Sequence, residues 1–560
     1  MTLNAVLCKV VITMKRFIIP LSVVLILAML VGFVSSQGRT YDVILRNGMV
    51  YDGSGAAPLR ADVAINGDTI AAVGNLTNAI ARTEIDVSGL AVSPGFINML
   101  SWADRSLLMD GRSMSDIKQG VTLEVFGEGW SPGPVKRKTN KPVDSLWTTL
   151  EGYFSYAMKK GVTPNIASFV GATTIRIHEL GHEKRAPTKE ELERMKRLVA
   201  QAMEQGAMGL GSSLIYAPAD YASTEELIEL ARVASRSGGI YTTHMRSEGD
   251  FILVALDETI RIAKEADIPA EIYHLKINMP RNWNKVDKVL AKIDSARKAG
   301  IVLTANNYPY VASATSLTAR LPNWVQEGGA VEMRKRLRNP SIRKKVLHEM
   351  RAGIPYKNSD AKDVMLLGFR LDSLNRIYRG KRLDQVAARH GKDADETVID
   401  LIVRDKSPIA AVYYLQSETN VRKFVAQPYV SFGSDGASLS DHNIFKDWGT
   451  HPRAYGTFAR VLGRYVREEK LLTLEDAVRR MTSLPASNLK IKKRGLIKQG
   501  YFADIAIFDP STIADHATFE DPKKYATGMV HVFVNGVQVL KDGEHTNARP
   551  GRVVYGPGKK

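Results

Sequence analysis

Residues 238–277 read GGIYTTHMRSEGDFILVALDETIRIAKEADIPAEIYHLKI. Two short β-rich segments, Gly239 to Thr243 and Pro269 to Tyr273, each run into a histidine, His244 and His274. Between them, Phe251 to Ala266 carries apolar residues at helical spacing. The order is strand, histidine, helix, strand, histidine. In a parallel barrel of alternating strands and helices, side chains at the carboxyl ends of neighbouring strands converge on one mouth. Two imidazoles placed there can share a metal ion, and imidazole suits zinc. Taken singly, a strand-end histidine is more often a hydrogen-bonded core residue. It is the repetition on successive strands that favours a metal.

Outward from this unit the middle of the chain reads as eight strand–helix steps. The other strand segments are Ser93 to Met99, Val121 to Gly127, Asn165 to Val170, Ala207 to Leu214, Ile301 to Asn306 and Tyr429 to Ser434. Ser223 and Glu226 predict a capping box for the helix over 223–237. Trp283 to Gly300 is a second helix, ending on a glycine stop. The interval before the last strand is too long for one helix, so residues from about 318 to 425 are expected to form a helical insertion, a lid over the mouth. Its basic run, RKRLRNPSIRKK at 334–345, reads as a solvated helix face. After the last strand, FGSDGAS sets Asp435 between Gly433 and Gly436. A strand-end aspartate facing a metal-activated water can take its proton and later protonate a leaving amine. The competing reading is an Asx-turn aspartate.

Both ends of the chain differ from this middle. Residues 41–93 and the region from 503 onward alternate apolar and polar residues between Asn-Gly and Asp-Gly turns. The expected architecture is α/β: a TIM-like (β/α)8 barrel over 94–489 and a small β-sandwich domain built from 37–93 and 490–560. Residues 1–36 have the order of a secretory leader, with Lys15-Arg16, the apolar run Phe17 to Val34 and small residues after it. Met14 is a candidate start. A membrane anchor is the alternative for the apolar run. With the leader removed, no stable membrane span is expected, and the protein is expected to be exported, periplasmic or secreted. The one cysteine among 560 residues is Cys8, so the mature chain would have no thiol and no disulfide. A metal site there must use histidine, carboxylate, water or a modified lysine. The net charge of +18 is spread along the chain. Nucleic acid is not expected as a partner; attraction of anionic substrates or an anionic envelope surface is the milder reading.

Several segments resemble the amidohydrolase superfamily and, within it, the N-acyl-D-amino-acid deacylase (D-aminoacylase) family. They are SPGFINML, GVTLEVFGEGWS, GAMGLGSSLIYAPADYASTEEL, GGIYTTHMRSEGD, IYHLKI, NNYPYVAS, FGSDGAS, HPRAYGTFARVLG and KRGLIKQGYFADIAIFDP. The resemblance spans nearly all of the mature chain and implies the same barrel with a flanking β domain. It implies that His244 and His274 hold a tightly bound zinc and that Asp435 is the catalytic base and acid. It implies that Lys276, Tyr308 and, on a looser match, Arg320 bind the carboxylate of a small-molecule substrate.

Two departures stand out. The family carries His-x-His after the first barrel strand, where this chain has Leu100-Ser101-Trp102. The second metal site therefore looks absent, and one Zn²⁺ per chain is expected. The family also carries a metal-binding cysteine after the second strand, where this chain has Gly127-Glu128-Gly129. Glu128 is the candidate replacement, completing His-His-Glu with one open position; the alternative is that it only hydrogen-bonds a loop. Glu124 lies inside the strand and would point elsewhere. Trp102, Trp130 and the lid are expected to shape an acyl pocket, and His451 to support the site from behind. His178 and His182 read as solvated. Three functions follow: hydrolysis of an N-acyl-D-amino acid; hydrolysis of another linear or cyclic amide, including a D-dipeptide; or a barrel that has lost catalysis and binds. Retention of His244, His274, Asp435 and Lys276 together argues against the last.

Overall fold

The computed structural model describes residues 40–136, 146–352 and 359–560. The leader expected over 1–36 lies outside the described residues. Among the described residues no helix is long and apolar enough to cross a membrane.

Eight parallel strands form the centre: β1 (Phe96–Asn98), β2 (Val121–Phe126), β3 (Asn165–Ser168, continued by Val170–Gly171), β4 (Gly209–Ser213), β5 (Ile240–His244), β6 (Ala270–Ile272), β7 (Leu303–Asn307) and β8 (Val430–Phe432). They pair in parallel as β1-β2-β3 and as β3-β4-β5-β6-β7-β8. The ring closes between the last and first strands. Met99 N–H donates to Phe432 O at 3.3 Å, Asp435 N–H donates to Leu100 O at 2.8 Å, and Ser101 bridges Gly436 in parallel. All eight segments read from sequence are thus barrel strands, with one change. The first is cut at Pro94-Gly95, because Ala91–Pro94 belongs to a different sheet. A Cβ at Gly95 would lie 2.2 Å from Thr122 Oγ1, so only glycine lets the chain pass from one sheet to the other there. The interior holds Ile97, Met99, Leu100, Leu123, Val125, Phe169, Met208 and Tyr273, packed as one apolar cluster. It is a filled core rather than a pore.

The chain ends form one mixed nine-stranded sheet. Its order runs from Glu544–His545 through Val537–Lys541, Met529–Val534, Ile505–Phe508, Ala91–Pro94, Thr40–Val50 and Leu59–Asn66 to Thr69–Gly74, with Ile80–Asp86 also beside Thr40–Val50. Leu45, Val63, Ile65 and Ile70 from one end share an apolar cluster with Ile505, Ile507 and Phe533 from the other. Strands from the two chain ends thus share one sheet and one apolar face. On its other face Ala506, Phe508 and Val532 pack with Phe458, Leu462 and Val478 from the barrel helices.

Two local expectations are corrected. The capping box at Ser223 forms only by half: the Ser223 hydroxyl accepts from Glu226 N–H, but the Glu226 carboxylate turns inward to Arg176 at 2.7 Å. Arg176 is 1 % exposed, and a guanidinium buried that deeply needs an anion more than a helix end does. The insertion is not purely helical. Ser313–Ser316, Val364–Gly368 and Ala410–Tyr413 form a three-stranded antiparallel sheet that its helices cover. Leu317, Leu337, Val346, Leu366, Val398 and Ile402 give it a core of its own. The insertion thus starts a few residues before 318, and Glu418–Val425 is the helix that leads into β8.

Candidate active site

The site lies at the carboxyl ends of the barrel strands. His244 closes β5, and His274 follows β6 by two residues. His274 and Asp435 both have left-handed backbone, with φ of +37° and +47°. Such conformations cost about 1–3 kcal/mol and persist where the surroundings enforce them. Here His274 N–H is held by Asn306 Oδ1 at 2.8 Å and Asp435 N–H by Leu100 O. The strain turns both side chains into the mouth.

Glu128 reaches the same place from the turn after β2. Gly127 and Gly129 have φ of +108° and +72°, and a Cβ on Gly129 would meet Ser213 N at 2.8 Å. The two glycines let this loop lie directly against the ends of β3 and β4. Gly129→Ala is therefore expected to destabilise the fold by about 1–3 kcal/mol and to pull Glu128 out of place. A lowered Tm together with reduced metal content checks this; an unchanged metal content would show that the loop is free to adjust.

Glu128 Oε1 lies 2.8 Å from His244 Nδ1 and 2.9 Å from His274 Nε2, and the two imidazoles stand edge to face with centroids 4.4 Å apart. One donor atom from each of the three residues lies within 4.8 Å of the others. All three side chains are buried, and His244 Nε2 has no hydrogen-bond partner. Two imidazoles and a carboxylate are a donor set that suits a zinc-like divalent ion. Burial pushes the Glu128 carboxyl up, but the imidazoles of His274 and His244 hold it well below the usual carboxylate range. Burial and the Lys276 ammonium push His274 down; the carboxylates of Glu128 and Glu248 outweigh them and raise it to about 9. Binding a cation would displace that proton.

Glu248 is a residue that the sequence reading missed. Its Oε1 lies 3.1 Å from His274 Nδ1 and 3.6 Å from His244 Nε2, and it forms a short ion pair with Lys276. It reaches the outer edges of both histidines, the position from which a carboxylate orients a metal-binding imidazole. Its only signal in the sequence was its place four residues after His244. Lys276 Nζ is also 2.7 Å from His274 Nδ1 and 5.7 Å from the centre of the Tyr308 ring.

Asp435 is the second pole. Its Oδ2 lies 2.7 Å from Arg453 NH1, and its Oδ1 accepts from Trp102 Nε1 at 3.0 Å. Burial raises its pKa, opposed by Arg453 and reinforced by Glu128. Arg453 is the other residue missed. It stacks 4.5 Å from the centre of the Tyr308 ring, and its buried Nε has no hydrogen-bond partner. His451 stands behind it. Its Nδ1 accepts Arg453 N–H at 3.0 Å and its Nε2 faces Ala312 O at 3.0 Å, while burial keeps the ring neutral. The HPR run thus fixes Arg453, which the sequence offered as one basic residue among many.

Other candidates fall differently. Tyr308 is 1 % exposed and its hydroxyl accepts from Gln416 at 3.3 Å. Arg320 lines the same cavity from the insertion, but its guanidinium is held by Ser359 and by Asp395 at 3.2 Å. Glu124 points into the barrel, to Asn98 at 2.9 Å. His178 pairs with Glu179 at 2.9 Å. The cavity that joins Glu128, His244, His274, Lys276, Asp435 and Arg453 has a volume of about 770 Å³ and extends under the insertion, past Trp102, Trp130, Tyr216, Leu367 and Ile409.

A parallel barrel with a His–His–carboxylate cluster and an aspartate at its mouth is the scaffold of a metal-dependent hydrolase. Residues 373–540 match the Amidohydrolase family. The chain is 36 % identical over 531 residues to the D-aminoacylase of Alcaligenes xylosoxydans xylosoxydans, covering 93 % of this chain and 98 % of the relative. It is similar to a solved D-aminoacylase with a binuclear metal centre, in which one metal activates and a second attenuates: TM-score 0.77, 34 % identity, 92 % of this chain and 100 % of that one. It is equally similar to the N-acyl-D-glutamate deacylase of Bordetella bronchiseptica, solved with zinc and a phosphonate mimic of the tetrahedral intermediate: TM-score 0.77, 30 % identity, 92 % and 100 % covered. The chain belongs to the D-aminoacylase family and is a metal-dependent amidohydrolase.

Proposed function

We propose that this protein is an exported, zinc-dependent deacylase that hydrolyses N-acyl-D-amino acids to a carboxylate and a free D-amino acid. The observation that carries the reading is the convergence, in one cavity, of the Glu128–His244–His274 donor set, the Asp435 carboxylate and two cationic side chains, Lys276 and Arg453. A zinc ion held by that donor set would supply Lewis acidity to the amide carbonyl and acidify a water. Asp435 takes the proton of the attacking water and returns it to the departing amine. Its burial favours both steps, because a raised pKa brings base and acid strength closer together. Lys276, Arg453 and the Tyr308 hydroxyl orient the substrate through its carboxylate. Each arginine has an unpartnered Nε, but Arg453 lies beside Asp435 and the Tyr308 ring, whereas Arg320 has both terminal nitrogens engaged by Ser359 and Asp395 in the insertion. Glu248 holds Lys276 and the outer edge of His274 in register. The leader-like residues before 37 support export.

The test is a screen of paired N-acyl-D- and N-acyl-L-amino acids with zinc-loaded full-length protein, reading release of the free amino acid. The expected result is turnover of D-substrates only, with larger apolar acyl groups accepted because the cavity continues past Trp130 and Leu367. Turnover of D-dipeptides alone would move the assignment to a dipeptidase, a reading that the cavity's volume also accommodates. No turnover of any N-acyl amino acid by metal-loaded protein would overturn the proposal.

A further inference from the structure

Trp102 belongs to the Leu100-Ser101-Trp102 run, where the resemblance implies His-x-His, and its indole lies between two carboxylates. Its Nε1–H donates to Glu128 Oε2 at 2.9 Å and to Asp435 Oδ1 at 3.0 Å. Glu128 Oε1 faces the two histidines, so the two oxygens of one carboxylate are divided between the donor cluster and the indole. Two carboxylate oxygens that converge within 3.0 Å of one point make a place for a positive charge. Here that place is filled by a neutral N–H.

The indole is firmly held. Trp102 N–H donates to Gly436 O at 2.9 Å, on the turn that carries Asp435. Ser101 N–H donates to Val125 O at 2.9 Å, on the strand that leads to Glu128. The ring leans on Trp130 at 6.4 Å between centroids. Leu100, two residues earlier, is fully buried in the barrel interior and offers no ligand. Trp102 thus stitches the first strand to both carboxylates by side chain and backbone together.

We propose that the Trp102 indole N–H replaces the second metal ion: it bridges and positions Glu128 and Asp435, and it makes this chain a one-metal enzyme that excess metal does not attenuate. The proposal rests on the metal-dependent reading above. A fixed donor between the two carboxylates holds Glu128 Oε1 towards the histidines and Asp435 towards the attacking water. It also denies a second cation the oxygens that it would need. Where a binuclear relative is attenuated by its second metal, this chain has a side chain that cannot dissociate or be titrated in by metal supply.

The first readout counts metal on the full-length protein without substrate, so that arm reads independently of whether the deacylase assignment is right. Wild type is equilibrated with zinc in excess, freed of unbound metal and analysed for zinc per chain. The expected result is one, unchanged as free zinc rises about 100-fold, with no loss of turnover on any substrate found. Trp102→His, which trades the donor for a ligand beside the same two carboxylates, is expected to bind a second zinc and to lose activity as it fills. Trp102→Phe keeps the ring and removes the N–H. Losing one donor to two charged acceptors is expected to lower kcat about 10-fold with KM unchanged, since the substrate's carboxylate contacts are elsewhere. Two zinc ions per wild-type chain would overturn the proposal. So would a folded Trp102→His chain that binds only one, or a Trp102→Phe enzyme with wild-type kcat.

Discussion

Asp435→Asn is expected to lower kcat by about 10²–10⁴-fold, the range that a positioned acid–base group supplies, with KM and zinc content close to wild type. Asparagine keeps the size of the side chain and can still accept from Trp102 Nε1 through its amide oxygen. It cannot take a proton from water. Its NH₂ would face the Arg453 guanidinium, which pairs with Asp435 at 2.7 Å, so part of the loss would be a released Arg453. The pH profile separates the two contributions. Burial raises the pKa of Asp435, and the base works only when ionised. Wild-type kcat/KM is therefore expected to fall as pH drops through that pKa, above the usual aspartate range. The acid limb should vanish in Asp435→Asn. If kcat falls only a few-fold and the limb survives, the base is another group, and Glu248 is the cavity carboxylate outside the donor set that would be tested next.

Glu128→Ala is expected to abolish tight zinc binding, with affinity falling by more than the roughly 10–100-fold that partners outside the coordination shell cost. Zinc per chain after dialysis should drop from about one to near none. The reasoning is geometric. Among the described residues Glu128 Oε1 is the atom that meets both His244 Nδ1 and His274 Nε2, and without it two buried imidazoles face each other with no carboxylate between those nitrogens. Glu128→Cys is the informative partner variant, because a thiolate is a good zinc ligand. Regained zinc in Glu128→Cys, with none in Glu128→Ala, would show that the position ligates. Equal zinc in wild type and Glu128→Ala would reduce Glu128 to a residue that orients histidines, and His244 and His274 would then need another partner.

What could be read from the chain and what could not divides along physical lines. Strands and their order were legible because each is a short apolar run ending in polar or glycine residues, and the period of two is a property of the segment itself. His244, His274 and Asp435 were legible because strand ends in a parallel barrel share one rim, so position along the chain fixes position in space. Glu128 was legible because two glycines single it out. The sheet within the insertion was not: Ser313–Ser316 and Ala410–Tyr413 pair across nearly a hundred residues, and SATS carries no apolar alternation to announce it. Glu226 was read as a helix cap because the rule is local, whereas the buried charge of Arg176 that captures it arrives from another helix.

The sequence by itself determined the barrel, the composite sheet of the two chain ends, and the side chains that meet at the rim. Only the tertiary structure decided how the charges there are paired. Arg453 rather than Arg320 faces Asp435, because the insertion supplies Ser359 and Asp395 to one guanidinium while the HPR turn drives the other against Tyr308. Trp102 was legible as a missing histidine and as a wall of the acyl pocket; its contact with two carboxylates, 26 and 333 residues away and within 3.0 Å of one N–H, came only from the fold. Hydrogen bonds and ion pairs act over a few ångströms and are indifferent to chain separation, so no periodicity or spacing encodes them.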